Sequence, residues 1–308
     1  MRRSRISGWG TALPEKVLTN ADLEGSLDTS DSWISERSGI RERRVGGTTS
    51  GLGTDAARAA LTMAGADRAV GLLLLATCTP DQQMPASASS VQHALGLSCG
   101  AMDINAACSG FVYGYVLAHH MVVGGMDRVV LVGSETMSKI VDWDDRSTAV
   151  LFGDGAGAVV VDADEGDDPG LLGYDLGSDG SLRHILDADV GGFVRMDGKE
   201  VFRKAVRIMV DSSRRAMANA GVGADEIALL VPHQANTRII ESARDKLDIS
   251  AQRTVTILER TGNTSAASVP LALADAADAG RLVPGDLVLL TGFGAGMTWA
   301  SAVLRWDP

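Results

Sequence analysis

The chain has 308 residues, 45% of them hydrophobic and 22% charged, with 36 glycines and only 4% aromatic residues. These proportions describe a globular enzyme of one large domain or two ordinary ones, and exclude a disordered chain, a collagen-like fibre and a coiled coil. A formal charge of −11 argues against generic nucleic-acid binding, which needs a basic surface.

The opening MRRSRISGWG is positively charged but has no apolar run behind it, so it does not read as a secretory signal. A cytosolic protein is expected. The longest uncharged apolar stretch, Ala69 to Thr79, falls short of the roughly 20 residues a membrane span needs, so no membrane insertion is expected. Within it, Gly71 to Ala76 reads as a strand that is apolar on both faces, the mark of a sheet covered by helices on each side. The three cysteines, Cys78, Cys99 and Cys108, are too few and too irregularly spaced for a disulfide framework or a zinc site. They are read as thiols, and no metal is expected.

A strand over Ala101 to Asn105 runs into small residues and then a helix over Phe111 to Val123. This places Cys108 at a helix N-terminus, where unpaired N–H groups and the helix dipole favour thiolate. Its small neighbours Ala106, Ala107, Ser109 and Gly110 leave room for a substrate. Most cysteines are small hydrophobes of the core, and Cys78 and Cys99, which lack this setting, are read that way. Val129 to Val132 is a second fully apolar strand, and FGDGAGAVVV (Phe152 to Val161) reads as a tight turn into a third. The acidic run Asp162 to Gly170 is the one boundary-like segment and divides the chain into halves 1–165 and 166–308.

The halves repeat each other. Ala60 to Pro80 matches Ala216 to Asn236, Gly124 to Met137 matches Leu282 to Met297, and Met102 to Phe111 matches Val255 to Ser268. A repeat of half the chain signals a duplicated domain rather than a solenoid, here an α/β protein with helices layered on its sheets.

In the second half, a helix over Glu200 to Gly221 sets Arg203, Arg207 and Arg214 on one face, either a basic patch or a plain solvated surface. His233 follows the apolar strand Ile227 to Val231, at the sheet edge where α/β proteins bind ligands. The other histidines, His93, His119, His120 and His184, fall on helices or in a polar loop and read as structural. GNTSAAS (Gly262 to Ser268) reads alone as a helix cap, but the repeat places Asn263 much as it places Cys108. GFGAGMTW (Gly292 to Trp299) is a glycine-rich loop after a strand, fit for an oxyanion hole or a phosphate cradle. It is neither a Walker loop nor a dinucleotide fingerprint.

Taken together, DTSDSWISERSGIRERRV, INAACSGF, LFGDGAGAVVV, VPHQANTRII, GNTSAASVPLAL and GFGAGMTWAS resemble the β-ketoacyl-acyl-carrier-protein synthase III family of the thiolase superfamily, over nearly the whole chain. The resemblance implies two thiolase-like halves in a five-layer αβαβα sandwich, assembled as a homodimer. It implies condensation of a short acyl-CoA primer with malonyl-acyl carrier protein, releasing CoA and CO2 without metal or redox cofactor. On this resemblance Cys108 is the acylated nucleophile, His233 and Asn263 complete the triad, and the N–H groups of Cys108 and Ala295 form the oxyanion hole. Trp33 and Arg146 match positions flanking the CoA adenine, and Arg37, Asn236, Thr29 and Phe202 match pantetheine or nucleotide contacts. Arg203 and Arg238 match basic positions that receive the acidic carrier protein, with Arg207 and Arg214 on the same face. Met84 matches a position that closes the acyl pocket of the neighbouring subunit. Ala295 stands where glycine is common, and Asp179 to Met196 is shorter than usual. The alternatives are an acyltransferase or a specialised condensing enzyme of polyketide assembly. A biosynthetic thiolase is disfavoured because no cysteine follows Cys108, and a noncatalytic binding subunit because the triad is intact.

Overall fold

The computed structural model describes residues 1–308. The chain begins with β1 (Arg2–Ala12), β2 (Val17–Thr19), α1 (Asn20–Glu24), α2 (Asp31–Ser38), β3 (Glu42–Arg44) and α3 (Thr49–Ala64). It continues through β4 (Leu72–Ala76), α4 (Ser87–Ala94), β5 (Gly100–Ile104), α5 (Gly110–Val123), β6 (Arg128–Thr136), α6 (Arg146–Ala149) and β7 (Asp154–Glu165). After β8 (Leu171–Ser178) come β9 (Leu186–Asp187), β10 (Arg195–Met196), α7 (Gly198–Ala220), β11 (Ile227–Pro232) and α8 (Thr237–Lys246). The chain closes with α9 (Leu258–Thr261), α10 (Ser268–Asp278), β12 (Leu287–Gly294) and β13 (Thr298–Arg305). No helix is long and apolar enough to cross a membrane.

Two main sheets form the body, one ordered β1-β7-β6-β4-β5 and the other β11-β12-β13-β8, with two-stranded ribbons β2-β3 and β9-β10 beside them. Their pairing follows one plan. In the first, β1–β7 and β7–β6 are antiparallel while β6–β4 and β4–β5 are parallel. In the second, β8–β13 and β13–β12 are antiparallel and β12–β11 is parallel. A lone parallel bridge, Leu230 to Thr254, stands where a fifth strand would pair. The acidic run Asp162 to Gly170 includes the turn from β7 into β8.

The alternation of strand side chains sorts the core into layers. Leu74, Val129, Leu131, Val288 and Leu290 face a central cluster that holds residues of α5 and α10. Leu73, Leu75, Val130 and Val132 face outward to α3 and α4, and Leu287 and Leu289 to α7 and α8. The result is helices, sheet, helices, sheet, helices. Both sheets are covered on both faces, which is why β4 and the Val129–Val132 stretch of β6 are apolar throughout. Close layering needs small residues: a Cβ on Gly157 of β7 would lie 2.8 Å from the backbone N of Leu271 in α10. A fourth cluster, including Leu23, Ile34, Ile40, Met137 and Phe152, packs the α1–β3 segment over one end of the molecule.

One charged pair is buried between β6 and β7. Arg128 donates to Asp162 from Nε at 2.7 Å and from Nη2 at 2.8 Å. The same guanidinium reaches the Gly65 carbonyl just past α3, so the pair also pins the end of that helix.

Candidate active site

The site is built around two copies of one turn. Asn105 follows β5, and its Oδ1 accepts the N–H of Ala107 at 3.0 Å. Asn263 follows α9, and its Oδ1 accepts the N–H of Ser265 at 2.9 Å. Ala107 and Ser265 both take the left-handed conformation, with φ of 47° and 48°. Each opens a three-residue 3-10 turn, Ala107–Ser109 or Ser265–Ala267, that leads into a central helix. This corrects the pairing expected from sequence. The counterpart of Asn263 is Asn105, while the counterpart of Cys108 is Ala266. The Ala-rich repeat hid a register difference of three residues, and the shared turn fixes it.

Cys108 is buried, 8% exposed, and sits just ahead of α5. Gly294, at the end of β12, lets the chain close on it: a Cβ there would lie 2.6 Å from the Cys108 backbone N. Thr298 Oγ1 donates to the Ala106 carbonyl at 2.8 Å and ties β13 to the same turn. The expected preference for thiolate is overturned for the site as it stands. Burial pushes the Cys108 thiol up to about 12, the nearby Glu135 carboxylate pushes the same way, and a hydrogen bond with Ser265 opposes them. Desolvation is the largest of these effects. Cys78 also departs from the plain core reading. It lines the same cavity as Cys108, and its Sγ donates to Glu135 at 3.3 Å.

His233 follows β11 and is 1% exposed. Burial lowers its pKa to about 3, so the ring is neutral. The Ser268 hydroxyl accepts the N–H of Gln234 at 3.3 Å and lies 2.6 Å from His233 Nδ1. Its own proton is then directed at Nδ1, which assigns the ring proton to Nε2. Phe293 packs edge-on against the imidazole at 5.5 Å. Gln234 is itself fixed, donating to the Pro232 carbonyl at 2.7 Å and accepting from Ile257 N at 2.9 Å.

Asn263 is held by its backbone to the segment before β7. Its N–H donates to Leu151 O at 2.8 Å, and its carbonyl accepts from Gly153 N at 3.0 Å. With Oδ1 occupied by Ser265 N–H, the amide Nδ2 is the free end. His233 Nε2 and Asn263 Nδ2 make no hydrogen bond to the protein.

A cavity of about 740 Å³ joins these groups, with Cys108, His233, Asn263 and Ala295 all in its wall. Trp33, Arg37, Phe202, Asn236 and Arg238 line it as well. Two guanidinium carbons lie over the Trp33 ring, Arg37 at 4.5 Å and Arg146 at 4.7 Å from the ring centre. Asn236 Nδ2 donates to the Arg37 carbonyl at 2.8 Å, and Arg238 lies 5.6 Å over the Phe202 ring. Arg146 is therefore at the mouth rather than in the wall. Thr29 is near it in sequence to Asp28, whose carbonyl accepts from Arg146 at 2.5 Å, but Thr29 does not line the cavity. The short segment Asp179 to Met196 contains the β9–β10 ribbon, and Leu186, Val194 and Met196 form part of the wall.

Met84 is 80% exposed and outside the cavity. Arg203, Arg207 and Arg214 line a separate cleft of about 500 Å³ with Lys246. Two of them are already paired on their own helix, Arg203 with Glu200 at 2.5 Å and Arg207 with Asp211 at 3.5 Å. No group of three His, Cys, Asp or Glu side chains is placed to hold a metal ion. The sequence reading passed over Asn105, Ser265, Ser268 and Glu135. Only the repeat itself, aligned three residues differently, points to Asn105.

Comparison with known proteins adds a lineage to this geometry. The family model "3-oxoacyl-[acyl-carrier-protein (ACP)] synthase III" matches residues 102–180, and its C-terminal counterpart matches residues 217–306. A β-ketoacyl-[acyl-carrier-protein] synthase III of Agrobacterium fabrum is 48% identical, over 99% of this chain and 100% of that protein. The crystal structure of a 3-oxoacyl-(acyl carrier protein) synthase III from Pseudomonas aeruginosa superposes with a TM-score of 0.94 at 45% identity, covering 99% of each chain. The priming β-ketosynthase of the R1128 polyketide pathway matches with a TM-score of 0.94 at 36% identity, over 99% of this chain and 97% of that one. The two family models fall on the segments that carry Cys108 and the His233–Asn263 pair, and near-half identity extends from end to end: the chain belongs to the 3-oxoacyl-[acyl-carrier-protein] synthase III family.

Proposed function

We propose that this protein is a β-ketoacyl-[acyl-carrier-protein] synthase III that joins a short acyl-CoA primer to malonyl-acyl carrier protein and so starts fatty-acid synthesis. One observation carries the reading: a thiol and two free N–H donors, on His233 and Asn263, share one cavity.

In the first step, Cys108 Sγ attacks the thioester carbon of the acyl-CoA. The carbon–sulfur bond to CoA breaks, and the thiol proton ends on the CoA sulfur. The N–H groups of Cys108 and Ala295 hold the oxyanion, a contribution of about 3 kcal/mol for each well-placed donor. Covalent capture divides one difficult condensation into two steps. In the second step, the malonyl thioester carbonyl accepts from His233 Nε2–H and Asn263 Nδ2–H. The bond to the carboxylate breaks, CO2 leaves, and the electron pair forms an enolate held by the two donors. Its carbon attacks the acyl group on Cys108, a carbon–carbon bond forms, the carbon–sulfur bond to Cys108 breaks, and the released thiolate takes a proton from solvent. The thioesters are substrates, and no cofactor takes part.

Trp33, with Arg37 and Arg146 over its ring, forms the platform for the nucleotide end of CoA, with Phe202 and Asn236 along the arm and Thr29 outside the cavity on the nucleotide side. Arg203, Arg207, Arg214 and Arg238 are the docking face for the carrier protein. The halves 1–165 and 166–308 supply nucleophile and enolate site respectively. We place the enzyme in the reducing cytosol, which its three free cysteines favour. Two copies assemble, and Met84 of each closes the acyl pocket of the other, which accounts for its exposure in one chain. The likeness to the R1128 enzyme favours a second reading, a priming condensing enzyme of polyketide assembly that uses the same two steps.

Intact-protein mass spectrometry after incubation with a panel of acyl-CoAs tests the proposal. An acyl adduct is expected on the native enzyme and none on Cys108→Ala; equal labelling of both would remove the nucleophile. The acyl group that transfers fastest separates the two readings. Malonyl-carrier protein is then added, and CO2 release is required. His233→Ala is expected to acylate yet decarboxylate poorly.

A further inference from the structure

Glu135 stands outside the groups used above, yet it is buried beneath them. It lies near the end of β6 and is 0% exposed. Unlike buried Asp162, which pairs with Arg128, it has no cationic partner. Seven donors surround it instead, from two parts of the chain. From the loop after β4 come Thr77 Oγ1 at 2.9 Å, Thr79 Oγ1 at 2.5 Å, the N–H groups of Cys78 and Thr79 at 3.1 Å, and Cys78 Sγ at 3.3 Å. From the turn after Asn263 come Ser265 Oγ at 3.0 Å and Ala266 N at 3.3 Å.

Backbone N–H groups can only donate, and three of the seven are of that kind. A carboxylate satisfies them all; a glutamine would turn its NH2 toward at least one. Burial still pushes this carboxyl above its ordinary range, against the pull of those hydrogen bonds. The cost of burying an acid therefore meets a specific demand.

That demand is at Ser265. Its φ of 48° is a conformation that a residue with a side chain adopts only when held there. The turn so held sends the Ser265 N–H to Asn263 Oδ1. If the turn relaxed, the amide would be free to rotate and present its oxygen to the cavity. The matching turn at Ala107 is held differently, through Thr298 and the Ala106 carbonyl.

We infer that Glu135 is a positioning residue for the condensation proposed above, on whose reading this rests: it clamps the Ser265 turn and thereby keeps Asn263 Nδ2 directed at the substrate carbonyl. It touches no substrate atom.

The test compares Glu135→Gln with the native enzyme in two half-reactions, acetyl transfer to Cys108 and CO2 release from malonyl-carrier protein. The kcat of CO2 release is expected to fall at least about tenfold, with KM for malonyl-carrier protein changed less than about threefold. Acylation of Cys108, which the same change relieves of a nearby negative charge, is not expected to slow. Added to Asn263→Ala, the same change is expected to cost CO2 release less than about twofold more, because both act through one amide. A CO2-release kcat within about threefold of native overturns the inference, and so does full additivity with Asn263→Ala. If Glu135→Gln fails to fold, Ser265→Ala carries the comparison, read on CO2 release alone because the Ser265 hydroxyl also hydrogen-bonds Cys108. A lowered kcat of CO2 release then supports the inference, and an unchanged one overturns it. Native enzyme that releases no CO2 overturns the reaction itself, and the assay shows this before any variant is compared.

Discussion

The chemistry of single residues here is set by burial. His233 is neutral because water is excluded from it, with its pKa lowered to about 3. A histidine so depressed stays neutral until the pH falls far below its ordinary value of 6.5. CO2 release from malonyl-carrier protein is therefore expected to show no limb centred near pH 6.5; a limb there traced to His233 would show that burial does not hold the ring neutral. Ser268→Ala, which frees Nδ1 to take the proton, is expected to lower the same kcat about tenfold. Cys108 was legible in the sequence as a thiol among small residues between a strand and a helix, and His233 because it follows an apolar strand. Ser268 and Glu135 were not. Ser268 is 35 residues from His233 and Glu135 is 130 from Ser265, so their roles exist only once the chain has folded. The state of the thiol was misjudged for a related reason. A helix start can be read locally, whereas desolvation is a property of everything packed around it.

Among the elements, β5 ends its sheet with one edge unpaired. It has neither the lysine nor the proline that usually blunts such an edge, and Met102 is partly exposed on it. Pairing of two β5 strands across a twofold axis would extend the sheet through both copies. Sedimentation equilibrium is expected to show a dimer at micromolar concentration, and Ala101→Pro, which removes an edge donor, to yield monomer. A monomeric native protein would remove the role given to Met84. The main strands and helices were legible from periodicity and turn residues: the expected helix over Phe111 to Val123 is α5, Gly110–Val123, and the expected strand Ile227 to Val231 is β11. Which repeat residues correspond was not legible, because Ala-rich segments align almost as well when slipped by three. The paired Asn105 and Asn263 turns settle the register.

For the molecule as a whole, the charge of −11 opposes an encounter with an acidic carrier protein. The docking proposed above therefore needs a local attraction, and the ion pairs of the arginines differ. Arg203 and Arg207 are partly neutralised by Glu200 and Asp211, while Arg238 stands at the cavity mouth over Phe202. Arg238→Glu is expected to lower kcat/KM for malonyl-carrier protein about tenfold, and added salt to lower the native value as well. A native rate indifferent to salt would place docking elsewhere.

The two central turns share one geometry but not one chemistry. Both keep the asparagine, Asn105 in one and Asn263 in the other, but three residues on, the first has Cys108 where the second has Ala266. On the reading proposed above, the first turn presents a thiol and the second an amide. A substitution at either group therefore has no stand-in from its twin, for all the likeness of the two halves.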